Sequence, residues 1–269
     1  MGAPLKIAIA GLGTVGGGVV KALAAQKADL AARAGREIVI IGVSARDAKK
    51  ARGVAVENFT TDPLALVKSD ADVIVELIGG EEGVAKQLVE AALANGKHVV
   101  TANKALLAKH GAALAALAER NNLQLKFEAA AAGGIPIVKT LRESLIAYEI
   151  QAVKGILNGT CNYILTEMEA TGANFADVLK DAQALGYAEA DPTLDVGGGD
   201  TAHKLALLSS LAFGVAPELS AMTVEGIQHI APADIHFASE FGFRIKLLGV
   251  ARRTSSGIDQ KVHPAMVRM

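Results

Sequence analysis

Residues 185–208, LGYAEADPTLDVGGGDTAHKLALL, combine four carboxylates, three consecutive glycines and a lysine. The part that follows the glycines has helical spacing, which places Asp200 and Lys204 on one face near the start of a helix. Such a pair can be an ordinary ion pair at the surface. It can equally line a polar pocket in which Asp200 orients the Lys204 ammonium for proton transfer. Spacing alone leaves both interpretations open.

A second chemical signal lies near the N-terminus, in KIAIAGLGTVGGGVVKALAAQ (residues 6–26). A short apolar strand leads into a G-x-G-x-x-G turn, and a helical pattern follows without a break. In such a turn the first glycine permits the tight bend, the second lets backbone approach a pyrophosphate, and the third lets helix and strand pack closely. The segment predicts a dinucleotide-binding turn, and the alternative is a glycine-rich turn that binds nothing.

Alternating elements surround this turn and must position its ligand. Strand patterns occur at residues 37–44, 72–80, 97–102 and 123–129, with helical patterns at 81–94 and 104–120. The alternation predicts an α/β fold, a Rossmann-type doubly wound parallel sheet. Ligands of such a sheet bind at the carboxyl ends of its strands. Gly79 and Lys104 are expected at that edge.

The residues after the second strand indicate the kind of dinucleotide. That position usually carries an acidic residue for the ribose hydroxyls, but here Arg46 comes first and Asp47 second. A guanidinium suits a 2′-phosphate and favours NADP. Lys49, Lys50 and Arg52 add positive charge, whereas Asp47 leaves NAD open. A solvated basic helix start is the alternative without a ligand.

Composition limits the class of partner. The 27 Lys and Arg nearly balance the 28 Asp and Glu among 269 residues, so the formal net charge is -1. This balance argues against binding to nucleic acid or to an anionic membrane, and a small-molecule substrate is expected instead. The longest uncharged run, Ile7 to Val20, is too short for a membrane span. The single cysteine fits a reducing compartment, so we expect a cytoplasmic protein.

Three segments together resemble homoserine dehydrogenases. They are GLGTVGGGV at the glycine turn, VVTANKALLAKHG at 99–111, and NGTCNYIL with LGYAEADPTLDVGGGDTAHKL within 158–205. The similarity keeps its order along essentially the whole chain, and the last segment is the most specific. The family interconverts L-homoserine and L-aspartate 4-semialdehyde. The resemblance implies this activity, with NADP or NAD, in threonine, methionine and isoleucine biosynthesis.

The resemblance also implies roles for two lysines. Reducing an aldehyde with a nicotinamide requires a proton at the developing alkoxide. In the family the lysine matching Lys204 donates that proton, and the aspartate matching Asp200 lies beside it. The lysine matching Lys104 lies between nicotinamide and substrate. These three are the candidate catalytic residues.

The carboxylates before the glycines are assigned to the substrate by the same resemblance. An α-ammonium needs an acidic partner, which the resemblance implies is Glu189, with Asp195 near the polar end of the substrate. Residues 158–160 would hold this loop against the pocket. Asp191, which precedes Pro192, predicts a turn. A solvated acidic loop remains the alternative for the whole group.

The remaining site residues concern the cofactor and an ion. The candidate cofactor-binding residues are Gly11, Leu12, Gly13, Thr14, Val15, Gly16, Arg46, Gly79 and Lys104. Family members can bind an alkali ion through mainly backbone oxygens. On this chain the resemblance implies a structural sodium site at Glu128, Ala131, Gly133 and Ile135.

Cys161 supports a competing interpretation. Cysteine-dependent semialdehyde dehydrogenases have a similar nucleotide domain but attack the aldehyde with a thiol, forming a thioester. No histidine lies near Cys161 in the sequence to activate it. A buried small hydrophobic residue is therefore the expectation. An inactive cofactor-binding fragment is a third hypothesis.

Two domains are expected, an NAD(P)-binding Rossmann domain at 1–133 and an α+β catalytic and dimerisation domain at 134–269. The second has strand patterns at 149–157 and 243–252, a hairpin return after 257, and helices around 160–171, 174–185 and 199–213. The resemblance implies that its sheet pairs across a homodimer interface. It also implies a shortened catalytic domain without a C-terminal ACT domain, because family members continue beyond KVHPAMVRM.

Overall fold

A computed structural model describes residues 2–48 and 57–269 of the chain. The chain folds into two compact units, unit 1 (Met1–Gly134) and unit 2 (Ile135–Met269). Lys49, Lys50 and Arg52 lie outside the described residues. No helix in the described part of the chain combines the length and the apolar character needed to cross a membrane.

Unit 1 is built on a parallel sheet. Its elements are β1 (Leu5–Ala10), α1 (Thr14–Ala25), α2 (Lys27–Ala34), β2 (Ile38–Ser44), β3 (Phe59–Thr60), a 3-10 helix (Pro63–Lys68), β4 (Val73–Glu76), α3 (Val84–Ala94), β5 (His98–Thr101), α4 (Lys104–Arg120), β6 (Leu125–Lys126) and a 3-10 helix (Glu128–Ala130). The strand order is β3-β2-β1-β4-β5-β6, and every pairing is parallel. The predicted Rossmann-type sheet is confirmed.

The order of the strands creates a switch point beside β1. The chain first builds outward through β2 and β3, then returns to place β4 on the other side of β1. Ile7 and Ile9 of β1 pack with Val43, Val73 and Val75 in one buried cluster. A strand buried on both faces needs this continuous apolar sequence. The carboxyl ends of β1 and β4 therefore form the crevice in which such sheets bind ligands.

Unit 2 combines a mixed sheet with helices. Its elements are α5 (Ile137–Lys139), a π-helix (Thr140–Ser144), β7 (Ala152–Gly155), α6 (Gly159–Thr171), α7 (Phe175–Ala184), α8 (Thr193–Val196), α9 (Gly199–Phe213), β8 (Thr223–Val224), α10 (Pro232–Glu240), β9 (Phe243–Thr254) and β10 (Gly257–Arg268). The strand order is β7-β9-β10-β8, with β9 and β10 forming the predicted antiparallel hairpin. Strand β8 joins β10 in parallel.

Helix α9 packs closely on the hairpin, which places its first turn near the chain segment before α6. Gly249 of β9 makes this approach possible, because a Cβ there would lie 2.9 Å from Leu157 and 3.2 Å from Thr201. Leu205 of α9 and Leu247 of β9 belong to the buried core of unit 2.

Several predicted boundaries were wrong. The predicted strand 72–80 ends at Glu76, because the Glu76 side chain binds the backbone N–H groups of the following loop. The predicted strand 149–157 is longer than the observed strand β7, which pairs with β9 over only four residues. Helix α10 was not predicted, although Pro232 at its start and Asp234, which accepts a hydrogen bond from Ala231 N, form a helix-start signal.

Candidate active site

The glycine turn of unit 1 leaves open space only where a ligand would need it. Gly11 has a φ of 104°, and a Cβ there would overlap the Leu77 carbonyl. A Cβ on Gly16 would overlap the Gly11 carbonyl oxygen. A Cβ on Gly13, by contrast, would meet no atom within 4 Å. The first and third glycines are thus required by packing, whereas the second exposes backbone to an approaching group.

The helix after this turn begins without a side-chain cap. Gly13 is the N-cap of α1 and provides no side-chain cap, and the first turn carries no acidic residue. Open N–H groups at a helix start form an anion site. Thr14 and Val15 are exposed there, whereas Leu12 is buried in the core beside Ile9. These features suit the pyrophosphate of a dinucleotide, which Leu12 could contact only through its backbone.

Other predicted cofactor residues lie at the carboxyl ends of strands. Arg46 and Asp47 are exposed just after β2. Gly79 is exposed after β4 and has a φ of 84°. Lys104 is half-buried and begins α4, directly after Asn103, whose side-chain oxygen caps the helix by accepting from Leu106 N at 3.1 Å.

The predicted acidic partner of Lys204 lies beside it in unit 2. The Lys204 Nζ is 2.7 Å from Asp200 Oδ2 and 2.7 Å from the Leu157 carbonyl oxygen. The Asp200 side chain is only 6% exposed, whereas that of Lys204 is 20% exposed. A pair at this depth is held more firmly than an exposed surface pair. The Lys204 side chain is nevertheless partly accessible.

Asn158 belongs to the segment 158–160, which was predicted to hold the acidic loop against the pocket, and its side chain contacts that loop at Asp195. Its side-chain amide donates to Asp195 Oδ1 at 2.7 Å and to Asp200 Oδ2 at 2.9 Å. Its oxygen accepts from Cys161 N at 2.7 Å and thereby caps α6. An asparagine before a helical pattern is a sequence signal for a cap, but nothing local indicates the two carboxylates.

The glycine run 197–199 is required by packing within unit 2. A Cβ on Gly197 would lie 2.6 Å from the Thr193 carbonyl oxygen, and one on Gly199 would lie 2.7 Å from the Leu194 side chain. Gly198 has a φ of 88°, in the left-handed region. The run therefore lets α8 and α9 follow each other closely, which keeps Asp195 near Asp200.

The carboxylates of the acidic loop, Glu189, Asp191 and Asp195, lie in different environments. Glu189 is exposed, and its backbone oxygen accepts from Gln183 Nε2 at 3.0 Å. Asp191 Oδ1 accepts from Thr193 N at 3.1 Å, which makes the predicted turn. Hydrogen bonds from the Thr193 side chain and then from its backbone lower the pKa of the Asp191 carboxyl below its ordinary value. Asp195 is half-buried and contacts Asn158. Within the described part of the chain, hydrogen bonds thus connect Asp195, but not Glu189, to the Lys204 cluster.

Cys161 has the surroundings of an unreactive thiol. Its side chain is 0% exposed, and Sγ donates to the Asp195 carbonyl oxygen at 3.2 Å. Burial, together with the charges of Asp195 and Asp200, raises the pKa of the thiol to about 12. Attack on an aldehyde needs the thiolate, so this geometry argues against the cysteine-dependent interpretation.

The predicted sodium ligands lie on both sides of the division between the units. Glu128, Ala131 and Gly133 belong to unit 1, and Ile135 belongs to unit 2. Gly133 has a left-handed φ of 60°. The described residues contain no group of three or more His, Cys, Asp or Glu side chains that could hold a metal. An ion at these residues would therefore depend on backbone oxygens.

The sheet order and glycine turn of unit 1 define a dinucleotide-binding protein of the Rossmann class, to which unit 2 adds a lysine and carboxylate cluster. Residues 11–128 match the family model "Homoserine dehydrogenase, NAD binding domain", and residues 136–269 match the model "Homoserine dehydrogenase". The chain belongs to the homoserine dehydrogenase family, which confirms the resemblance in the sequence.

Individual relatives agree with this assignment. The homoserine dehydrogenase of Neisseria gonorrhoeae is 51% identical over 98% of this chain and 61% of its own length. The crystal structure of a homoserine dehydrogenase from Thiobacillus denitrificans has a TM-score of 0.96 and 49% identity, covering 99% of this chain and 62% of that one.

A more distant relative provides a cofactor complex. The structure of a hyperthermophilic archaeal homoserine dehydrogenase in complex with NADPH has a TM-score of 0.82 and 26% identity, covering 98% of this chain and 82% of that one. The chain spans about 61% of the length of the curated relatives it matches.

Proposed function

We propose that this chain carries the nucleotide-binding and catalytic residues of an NAD(P)-dependent oxidoreductase that interconverts L-homoserine and L-aspartate 4-semialdehyde. The proposal includes a place in threonine, methionine and isoleucine biosynthesis in the cytoplasm. The observation that carries it is the Lys204 ammonium, held by the buried Asp200 carboxylate in a chain that also has a dinucleotide turn.

The cofactor in this proposal is NADP, with NAD as the alternative. Residues 11–16 would hold its pyrophosphate at the start of α1, and Arg46 would bind a 2′-phosphate. Gly79 and Lys104 would line the carboxyl edge of the sheet. When bound, the nicotinamide supplies or accepts the hydride.

Lys204 would move the proton at the substrate oxygen. An ammonium has three N–H donors, and two of them bind Asp200 Oδ2 and the Leu157 carbonyl. The third is proposed to donate to the aldehyde oxygen as it becomes a hydroxyl. Lys104 is proposed to bind the same oxygen and polarise the carbonyl.

The carboxylates around the lysine would bind the amino acid end of the substrate. Glu189 is proposed to pair with the α-ammonium, which its exposure leaves accessible. Asp195 is proposed to contact the polar end of the substrate from the Asn158 cluster. Both charges suit a cation and would repel a substrate with an extra carboxylate in place of the ammonium.

The proposal extends to a structural sodium ion and a homodimer. Sodium would bind backbone oxygens at Glu128, Ala131, Gly133 and Ile135. Dimerisation is supported by apolar side chains exposed around the open end of the β9–β10 hairpin, which are Phe237, Phe241, Met266, Val267 and Met269. Light scattering would test the homodimer, and a comparison of Tm in sodium and in potassium buffers would test the ion.

The decisive test is homoserine-dependent reduction of NADP, followed by the nicotinamide absorbance. The unaltered chain should be active, and Lys204→Ala should lose about 10²- to 10⁴-fold. Lys180→Ala, an exposed lysine of α7, is the matched control and should retain activity. Undiminished activity of Lys204→Ala would remove that lysine from its role. Cofactor binding without any activity would favour the inactive-fragment hypothesis.

A further inference from the structure

Unit 1 contains a buried carboxylate to which the proposed reaction gives no role. Glu76 is the last residue of β4 and is 0% exposed. It pairs in register with Ala10 at the end of β1 and with Thr101 at the end of β5. Glu76 therefore lies at the switch point of the sheet, directly beneath the crevice.

The Glu76 carboxylate binds two different loops. Its Oε1 accepts from the backbone N–H groups of Ile78 at 2.8 Å and Gly79 at 3.0 Å. Its Oε2 accepts from the Thr101 hydroxyl at 2.5 Å. One side chain thus fixes the loop after β4 and the end of β5 relative to each other.

Asn103 closes this arrangement into a ring. Its backbone N–H donates to Thr101 Oγ1 at 3.0 Å, and its side-chain amide donates to the Gly80 carbonyl at 2.7 Å. Its side-chain oxygen caps α4, which begins at the next residue, Lys104. The ring runs from Glu76 through the loop 78–80 to Asn103 and back through Thr101.

A carboxylate is an energetically unfavourable choice at this buried position. Burying a charge costs free energy unless hydrogen bonds compensate it, and an apolar residue would fill the same space without that cost. Three donors converge on Glu76, and an ionised carboxylate is the side chain that accepts all of them. The Glu76 side chain holds the backbone at Gly79, and Asn103 holds it at Gly80. These two glycines have φ values of 84° and 89°, which favour glycine.

We propose that Glu76 is a positioning residue for the nicotinamide half of the dinucleotide. A doubly wound sheet has two mononucleotide-binding halves, and β1 to β3 with the glycine turn and Arg46 form the adenosine half. The β4 and β5 loops, which Glu76 joins, belong to the other half. The inference rests on the proposed function for the identity of the cofactor.

Glu76→Gln tests the idea with little change in shape. The amide oxygen can still accept from the loop, but its NH₂ faces the Thr101 hydroxyl, which loses its acceptor. We expect the dissociation constant for NADPH, measured by fluorescence titration, to rise about 10-fold. Binding of 2′-phospho-ADP-ribose, which lacks nicotinamide, should stay within about two-fold. Glu119→Gln, an exposed glutamate of α4, is the control and should change neither.

A purely structural role predicts a different pattern. Equal weakening of both ligands, or unchanged binding of both, would overturn the proposal. If Glu76 acts through Thr101, adding Thr101→Val to Glu76→Gln should weaken NADPH binding little further, and full additivity would contradict this. NADPH binding without homoserine oxidation in the unaltered chain would overturn only the proposed reaction. Absence of NADPH binding would overturn this inference as well.

Discussion

Lys204 Nζ and Asp200 Oδ2 lie 2.7 Å apart on the first two turns of α9. Asp200 is in the first turn, where the helix dipole favours a negative charge, and it is the more deeply buried partner. The buried Asp200 carboxylate therefore holds the side chain of a lysine that is more exposed. This arrangement suits a lysine that must exchange a proton with a ligand.

Asp200 should contribute strongly to the stability of unit 2. Asp200→Ala leaves the Lys204 ammonium and the Asn158 amide without their shared acceptor, so the free energy of unfolding should fall by about 3 kcal/mol. Asp200→Asn should lose less, because it keeps the shape and one acceptor. Urea unfolding measures both. Asp181→Ala, on the exposed side of α7, is the control, and an equal loss there would contradict the prediction.

Asn158→Asp separates the two functions of Asn158. The substituted carboxylate can still cap α6, but it replaces the donor that binds Asp195 and Asp200 with a third negative charge. We expect a loss of about 2–4 kcal/mol at neutral pH, smaller in acid as one carboxyl takes up a proton. Asn174→Asp changes an exposed cap of α7 in the same way and should cost under about 1 kcal/mol. Similar losses at both positions would argue against the bridging role.

Arg46 should decide between the two dinucleotides. If its guanidinium binds the 2′-phosphate, Arg46→Ala should raise the KM for NADP about 10-fold or more and leave the KM for NAD nearly unchanged. Steady-state kinetics with each cofactor would show this. Arg33→Ala, on the exposed surface of α2, should alter neither constant. A parallel change for NAD and NADP would remove Arg46 from this role.

Cys161 should resist thiol reagents while the chain is folded. Because burial raises its pKa to about 12, the thiolate is scarce even at pH 10, and labelling should become fast only on unfolding. Folding disfavours the thiolate, so this group costs stability as pH rises from the ordinary thiol pKa of 9.0 to about 12. Cys161→Ser should reduce that alkaline loss. Fast labelling of the folded chain at pH 8 would contradict the burial.

Glu82 should contribute stability that disappears in acid. Hydrogen bonds from Lys109 and His110, with Lys86 nearby, lower its pKa from 4.5 to about 2. A lowered carboxyl pKa stabilises the fold above pH 4.5, and the contribution is lost as pH falls to about 2. The difference in Tm between the wild type and Glu82→Gln should follow this course and shrink in salt, since the group is exposed. A difference that persists at pH 2 would contradict it.

Local sequence signals predicted the parts of the site that depend on short spacing. The bounds of α9 agree with the prediction because a left-handed glycine precedes the helix, Gly198, and another follows it, Gly214. The start of α4 at Lys104 agrees because Asn103 caps it. The pair of Asp200 and Lys204 follows from helical geometry alone.

Contacts between distant parts of the sequence were beyond such signals. Asn158 lies 37 residues from Asp195 and 42 from Asp200 along the chain. Glu76 and Thr101 are separated by 25 residues. The local sequence indicates only a helix cap at Asn158 and only the end of a strand at Glu76. Their second function depends on which elements the fold brings together.

The sequence by itself determined the Rossmann class, the glycine turn and the lysine pair, because apolar periodicity and the lack of a Cβ act over a few residues. The tertiary structure decided which carboxylates share Asn158, and it buried Cys161 among them. It also placed the Glu76 side chain where it binds the ends of two loops at the switch point. These properties depend on desolvation and on donors that only the packed chain places around one acceptor.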